Sequence, residues 1–405
     1  MKNTDPKLFR LSTDIVETDG ALLNVRTGEM YQLDEVGRLI IEGVKAGNLQ
    51  IGPDSREVFD LMVEEEVLTA PVHDPAKEFF HLQWHLLNRC NLSCTHCYDA
   101  KEKVSELNPD QMRRVVDDFV FFLKKMDVDG EISLTGGEPT LFEGLTDLIE
   151  YIKSRDIFVS LYILSNGVGF PDSLIPVLKK YSIGVQISLD GLEKEHDQIR
   201  GAGSFRQATD TIRNLVKEGI RTSVHYVLMK RNTGKLKDFI RYVDGLGVPN
   251  INFSTLVPIG PGAAEEMASP EELKLCHQLL ADFQKEVKVH IVGTRPLWTL
   301  VGSKGFCPVG YKTLTIDAKG DILPCRRLPM RLGNVLEDPF LRVWFANPFL
   351  KKMRERDKYV KVCGSCKHAE DCGGCRAIAA AVNGDPFSAD PSCWLLNDKG
   401  AVPAS

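Results

Sequence analysis

An α/β fold built on a parallel sheet is what this 405-residue chain predicts, and three observations predict it. From residue 81 onward, short apolar segments recur with strand-like length at 81–88, 131–135, 158–165, 183–189, 221–228 and 250–257. Between them lie stretches of helical period at 108–126, 142–154, 171–180, 204–218 and 233–246, with another at 270–288. Strands alternating with helices imply parallel pairing, with ligands at the carboxyl ends of the strands, and small polar motifs stand at those ends. Six such units fall short of the eight that close a barrel, so a partial (β/α)6 barrel, TIM-like and open on one side, is expected over residues 81–300.

Taken in order, residues 8–72 form a small α+β unit ahead of that pattern. Ala21 to Leu33 reads as a hairpin turning at Thr27-Gly28. Asp34 then caps a helix through Val36, Leu39, Ile40 and Val44, which Gly47 ends. A second helix runs from Ser55 through Val58, Leu61 and Met62 to the apolar pair Val67-Leu68. Ala70-Pro71 and Asp74-Pro75 mark a linker, placed at 73–80. The first barrel helix starts at Asn108-Pro109, a cap followed by proline at the first helical position. Beyond residue 300 the regularity fades and seven cysteines arrive in 87 residues, so 301–405 is read as a third unit.

Composition narrows the function. The chain is 43% apolar and 26% charged, and no apolar run approaches the roughly 18 residues of a bilayer span. The opening MKNTDPKLFR has no apolar stretch behind its charges, which argues against a secretory signal and for a cytoplasmic protein without membrane partners. A net charge of −6 argues against a chain built to hold phosphate backbones. Residues 1–72 hold seven Lys or Arg against fourteen Asp or Glu, leaving a net of +1 for the remaining 333. That step marks the first unit off from the rest.

The eleven cysteines carry most of the information. Clustered thiols in a long chain without a signal read as metal or redox chemistry rather than a disulfide scaffold. Cys90, Cys94 and Cys97, in RCNLSCTHCYD just after the first strand, can place three thiolates on one iron–sulfur cluster and leave one iron without a protein ligand. A zinc site completed by His96 is the alternative, hindered because His96 lies so close to the cysteines in sequence. Thr135-Gly136-Gly137-Glu138-Pro139 closes the second strand, Ser165-Asn166-Gly167 the third, and Ser188-Leu189-Asp190-Gly191 the fourth. Bare glycine backbone can approach a ligand, Glu138 can accept from an amine, and Arg200 in HDQIRG can clamp a carboxylate.

These residues together resemble the radical S-adenosylmethionine superfamily. The resemblance implies a 4Fe–4S cluster on Cys90, Cys94 and Cys97 whose open iron takes the amino and carboxylate groups of S-adenosylmethionine. One electron then yields a 5′-deoxyadenosyl radical that abstracts hydrogen from a substrate. It implies that Gly136, Gly137, Glu138 and Pro139 hold the methionine amine, that Ser188 and Asp190 lie near the ribose, and that Asn166 and Arg200 complete the site. His96 stands at the usually aromatic position whose backbone meets adenine.

The later cysteines, Cys307, Cys325, the run CGSCKHAEDCGGC from Cys363 through Cys366 and Cys372 to Cys375, and Cys393, resemble the SPASM extension with its auxiliary clusters. The resemblance assigns Cys363, Cys366, Cys372 and Cys393 to a distal cluster and Cys307, Cys325 and Cys375 to a nearer one, three 4Fe–4S clusters in all. The segment after Cys307 lacks the additional cysteine of the fullest SPASM form, leaving the nearer cluster's fourth ligand and type open. A zinc ribbon at Cys363–Cys375 is the alternative, though seven thiols exceed one tetrahedral site. Cys276, on an amphipathic helix, reads as a core thiol.

The first unit permits a winged-helix reading, but its second helix holds Glu57, Asp60, Glu64, Glu65 and Glu66 against Arg56 alone, so phosphates would repel it. It resembles instead the PqqD-like domain that recognises precursor peptides by adding a strand to a sheet edge. The expected function is therefore a radical maturase of a ribosomally made peptide, reduced by a flavodoxin- or ferredoxin-type donor, with no general base assignable. The rivals are a small-molecule radical enzyme of the tetrapyrrole side-chain type and a non-enzymatic iron–sulfur carrier or scaffold.

Overall fold

The computed structural model describes residues 9–396 apart from 13, 19, 26, 47–48, 70–76, 100–103, 294, 304 and 357–361. The helix stop at Gly47 and the linker pairs Ala70-Pro71 and Asp74-Pro75 lie outside the described residues.

The N-terminal unit opens with β1 (Arg10–Leu11), β2 (Ile15–Thr18), β3 (Ala21–Asn24) and β4 (Met30–Gln32). Helices α1 (Glu35–Ala46) and α2 (Pro53–Glu64) follow, and β5 (Leu68–Thr69) returns to pair antiparallel with β1. The Asp34 carboxylate accepts from Gly37 N at 2.7 Å, capping α1 as its sequence predicts. The hairpin is one half of a three-stranded antiparallel sheet of order β2–β3–β4. Ala21–Asn24 is thus central, and the free edges among the described residues are Ile15–Thr18 and Met30–Gln32. Sequence reading missed β2 because Ile-Val-Glu-Thr is too short to show a period. The unit has its own core, in which Leu22, Ile40, Ile41, Phe59 and Leu68 are buried.

The barrel follows as β6 (Phe79–His85), α3 (Pro109–Met126), β7 (Asp129–Thr135), α4 (Leu145–Lys153), β8 (Val159–Ser165), α5 (Ile175–Lys180), β9 (Gly184–Ser188), α6 (Glu193–Arg200), α7 (Ser204–Lys217), β10 (Thr222–Leu228), α8 (Leu236–Gly245), β11 (Asn250–Thr255) and α9 (Pro270–Phe283). Strands β6 to β11 pair in parallel, each with the next, which is the predicted partial barrel. At the start of α3 the Asn108 side chain accepts from Gln111 N and the Gln111 side chain from Asn108 N, both at 2.9 Å. Helix α6 was not foreseen: EKEHDQIR has one aliphatic residue and shows no apolar stripe, yet His196, Ile199 and Arg200 face inward.

The sheet is wider than the six strands expected. β12 (His290–Val292) extends it in parallel beyond β11. On the other side β13 (Thr313–Ile316), buried throughout, pairs in parallel with β6 and continues through β14 (Asp321–Leu323) and β15 (Gly333–Asn334) to ten strands. α10 (Phe340–Ala346), α11 (Pro348–Met353) and α12 (Arg376–Asn383) complete the chain, and Phe340, Trp344 and Leu350 enter the same core as the barrel. No helix of the described residues is long and apolar enough to cross a membrane.

One feature of the strands decides what the barrel can do. Parallel strands covered on both faces are usually apolar throughout. Here the residues facing the helices are apolar, among them Leu82, Trp84, Ile132, Leu134, Val224 and Tyr226, and belong to the core. Their alternates, His81, Gln83, Glu131, Ser133, Gln186, Ser223, His225, Asn250 and Asn252, line a cavity. The barrel interior is therefore a polar chamber instead of the stacked layers of aliphatic side chains that fill a closed barrel.

Candidate active site

Two connected cavities occupy the barrel. The upper one, about 140 Å³, lies at the carboxyl ends of the strands, and the lower one, about 900 Å³, extends beneath it. Leu164, Gln186, His225, Arg326 and Arg327 line both and so form their junction.

Cys90, Cys94 and Cys97 all line the upper cavity. Their loop is held by backbone bonds, with Thr95 N donating to Ile199 O at 2.9 Å and Gly262 N to Cys97 O at 2.9 Å. Two of the sulfurs already accept from the main chain, Cys90 Sγ from Leu92 N and Cys97 Sγ from Asp99 N, each at 3.4 Å. Burial, with the neighbouring Cys94, Asp99 and Cys90, pushes the Cys97 thiol up. Such thiols gain by sharing their charge with iron, so the donor set fits an iron–sulfur body on this wall. Among the described residues no three Cys, His, Asp or Glu side chains converge on a point where a single metal ion could be held.

Six of the nine residues expected around S-adenosylmethionine line the same cavity: His96, Gly136, Gly137, Asn166, Ser188 and Arg200. Glu138, Pro139 and Asp190 stand behind its wall. Glu138, fully buried, accepts from Ser165 Oγ at 2.9 Å, Thr140 Oγ1 at 2.8 Å, Thr140 N at 3.2 Å and Asn166 N at 2.8 Å. Burial raises its pKa, and these four donors offset the rise only in part. The carboxylate ties the end of β7 to the end of β8.

The glycines, besides lining the cavity, let two backbones meet. A Cβ on Gly137 would sit 2.0 Å from Arg89 O, and one on Gly136 2.3 Å from Leu87 O. Gly137 N donates to Leu87 O at 2.7 Å and Glu138 N to Arg89 O at 2.8 Å. Their missing side chains let β7 stack against the backbone that leads into Cys90.

Asp190 is a hub rather than a surface group. One oxygen accepts from Val227 N at 2.8 Å, and the other from Arg200 Nε at 2.6 Å, with His96 Nε2 3.2 Å away. Burial alone would raise its pKa, but Arg200, His96 and His196 hold it well below the usual carboxylate range. Arg200, expected to clamp a ligand carboxylate, spends Nε on Asp190 and directs NH1 to Cys94 Sγ at 3.8 Å. Asn166 donates to Asn91 Oδ1 at 2.8 Å and lies 3.8 Å from Cys90 Sγ.

The later cysteines gather in two places. Cys307, Cys325 and Cys375 line the lower cavity, facing the barrel interior. Burial pushes the Cys375 thiol up to about 11, against the pull of Arg327. Cys363, Cys372 and Cys393 are close enough that their charges act on one another, and burial pushes Cys393 up to about 12. Cys366 joins them through the turn in which its N–H donates to Cys363 O at 3.4 Å. Cys276 is buried in the barrel core, as expected of a packing thiol.

Sequence reading missed what assembles these cysteines. Buried Asp390 accepts from Cys375 N at 2.6 Å, Ser392 N at 3.0 Å and Ser392 Oγ at 2.6 Å. Buried Arg356 donates to Cys307 O and Glu370 O, each at 2.7 Å. Buried Arg376 donates to Ser388 O at 2.8 Å and reaches Cys363 Sγ at 3.8 Å. Nothing in sequence marks these three charges as interior. The chamber residues did carry a signal, the period-two alternation of polar residues within strands.

Comparison with known proteins agrees with this geometry. Residues 84–243 match the Radical SAM superfamily, and residues 307–367 match the SPASM iron–sulfur cluster-binding domain. The mycofactocin maturase MftC of Mycobacterium ulcerans is 31% identical over 334 residues, spanning 77% of this chain and 87% of that protein. An AdoMet-dependent heme synthase of Methanosarcina barkeri is 26% identical over 341 residues, spanning 77% of this chain and 95% of that protein. Streptococcus suis SuiB, solved with S-adenosylmethionine, superimposes with a TM-score of 0.63 at 20% identity over 95% of this chain and 100% of that one. Its complex with the precursor peptide SuiA matches with the same TM-score at 19% identity and the same coverage. This chain is therefore an enzyme of the radical S-adenosylmethionine superfamily, and it carries the SPASM iron–sulfur domain.

Proposed function

We propose that this enzyme modifies a ribosomally made precursor peptide, held by its N-terminal unit while a core segment enters the chamber. The observation that carries the reading is that unit itself: a separate core, two sheet edges free among the described residues, and a strongly acidic composition ahead of the partial barrel. The mycofactocin maturase MftC, at 31% identity, is a further support, and the heme synthase, at 26%, covers the same 77% of this chain. Cys90, Cys94 and Cys97 would hold the radical cluster, with Gly136, Gly137, Asn166 and Ser188 around S-adenosylmethionine and His96 and Arg200 fixed beside them by Asp190. When bound, that cluster and S-adenosylmethionine supply the radical that takes a hydrogen atom from the substrate. Cys307, Cys325 and Cys375 would hold one auxiliary cluster facing the chamber, and Cys363, Cys366, Cys372 and Cys393 a second.

Strand β4 is one of the two free edges, with Met30 exposed, and main-chain pairing there makes little demand on peptide sequence. A unit carrying −7 favours a leader with Lys or Arg, and that preference weakens as salt screens it over about 8 Å at physiological ionic strength. The test is fluorescence anisotropy of labelled leaders encoded beside this gene, against the full chain and a chain lacking residues 1–72. Tight, salt-weakened binding by the full chain alone supports the reading. Equal binding by both, or none by either, overturns it and favours a small-molecule substrate, for which the likeness to heme synthases already speaks.

A further inference from the structure

The junction between the two cavities is cationic in a way the radical chemistry above does not use. Arg326 and Arg327 line both cavities, and Arg295 lines the lower one beside them. Their charges reach one another. Arg326 and Arg327 are half-buried and Arg295 is exposed, and three like charges gathered beside one space repel one another unless anions answer them. Among the described residues, no ion pair joins any of the three to a carboxylate.

Arg327 is partly answered within the protein: it donates to Thr255 O at 3.0 Å and lies near the Cys325 and Cys375 thiols, though its Nε has no partner. Arg326 is not answered in that way. It lies over the Tyr98 ring at 5.3 Å, and its charge helps keep His81, His85 and His225 neutral. Three carboxylates line the two cavities, Glu78, Asp99 and Glu131, and Glu131 has its own cations in Arg221 and Lys312. Two further buried polar atoms on the chamber wall, Gln83 Nε2 and His225 Nε2, also have no partner. An uncompensated guanidinium and two orphaned nitrogens around one space describe the complement of a polar anion.

We propose that the chamber accepts a substrate group bearing a carboxylate, which Arg326 seats at the junction with Arg295 beside it, directly below the cavity lined by Cys90, Cys94 and Cys97. A guanidinium fork binds a carboxylate bidentately, so the contact fixes orientation as well as charge and presents the neighbouring carbons to the upper cavity. The carboxylate can belong to an acidic side chain, a free peptide C-terminus or a small polycarboxylic acid. The proposal rests on the chamber being the substrate site and is independent of how a leader docks.

The test uses the full chain, reconstituted anaerobically with S-adenosylmethionine, and isothermal titration with one otherwise uncharged hexapeptide in three forms. These are a central Glu with an amidated C-terminus, a central Gln with an amidated C-terminus, and a central Gln with a free C-terminal carboxylate; tricarballylate is the small-molecule arm. At least one carboxylate probe is expected to bind about tenfold tighter than the Gln amide, the usual order for a charge-assisted pair. Whichever probe does so identifies the source. Arg326→Gln should erase that preference and Arg326→Lys retain part of it, with iron and sulfide content read for each. The comparison on the unaltered protein stands whether or not a variant loads its clusters. Binding of all probes within about twofold, binding of none, or an undiminished preference in Arg326→Gln overturns the proposal. Leader anisotropy on the same protein separates this failure from failure of the peptide reading.

Discussion

The two cysteine regions solve the same problem by opposite means. Cys90, Cys94 and Cys97 fit within eight residues, on a loop pinned by main-chain bonds from Thr95 N to Ile199 O and from Gly262 N to Cys97 O, with Gly137 N and Glu138 N donating to Leu87 O and Arg89 O just ahead of it. The seven later cysteines spread over 87 residues and are drawn together by buried side-chain charges, Asp390, Arg356 and Arg376. A local loop secured by backbone tolerates change in its side-chain surroundings. A dispersed set secured by a few ionised groups depends on each of them.

The largest expected effect separates the two regions outright. Replacing Cys90, Cys94 and Cys97 together by Ala should abolish formation of 5′-deoxyadenosine under dithionite while leaving iron and sulfide at the later cysteines, because Asp390, Arg356 and Arg376 bond to Cys375 N, Cys307 O and Ser388 O within the later region itself. Product above the dithionite-only background would remove the first loop from the chemistry. Stoichiometric zinc with little sulfide in that variant would turn the later region into a zinc ribbon.

The same contrast explains what was legible. The six strands from β6 to β11 and six of the barrel helices could be read because each carries an apolar period, and the cysteine loop because its spacing is local. Helix α6 could not, since EKEHDQIR is held by His196 and Arg200 facing inward rather than by an apolar stripe. Glu138 and Asp190 were read as ligand-facing because they stand in motifs at strand ends. Their direction follows from packing, and both turn away from the cavity to satisfy N–H groups that β-strands leave unpaired at their ends. The union of β13 with β6 joins residues more than two hundred positions apart, a pairing no local pattern encodes.

A second pair of variants compares a charge in each region. Asp190→Asn leaves Arg200 buried without its counter-charge, and breaking a buried pair from one side costs about 3–5 kcal/mol. Asp390→Asn keeps one acceptor oxygen but loses the charge that Cys375 N and Ser392 share, a loss of about 1.5–3 kcal/mol. Urea unfolding of the two proteins should show the first as a fall in global stability. The second should show most as iron lost from the later cysteines with the barrel transition little moved. If Asp390→Asn lowers the barrel transition as far as Asp190→Asn does, the two regions are one cooperative unit and the contrast between them fails.

The smallest effect tests the wet interior on which the barrel differs from a packed one. His85 is buried, and burial together with Arg326 lowers its pKa to about 3. In the unfolded chain the same imidazole titrates near 6.5. Between those values the unfolded chain binds a proton that the folded chain refuses, so this group weakens folding as pH falls through 6.5. The loss grows by about 1.4 kcal/mol per pH unit and ends once the folded imidazole takes its own proton near 3. His85→Gln removes the titration and retains a polar group facing Tyr98. Its urea stability, measured at half-unit steps from pH 7 to 4.5, should therefore decline less steeply than that of the unaltered protein by the equivalent of one proton, with the two slopes merging above pH 7. Parallel slopes across that range would mean that His85 takes up its proton as readily in the folded chain as in the unfolded one, and the neutral buried imidazole would be withdrawn.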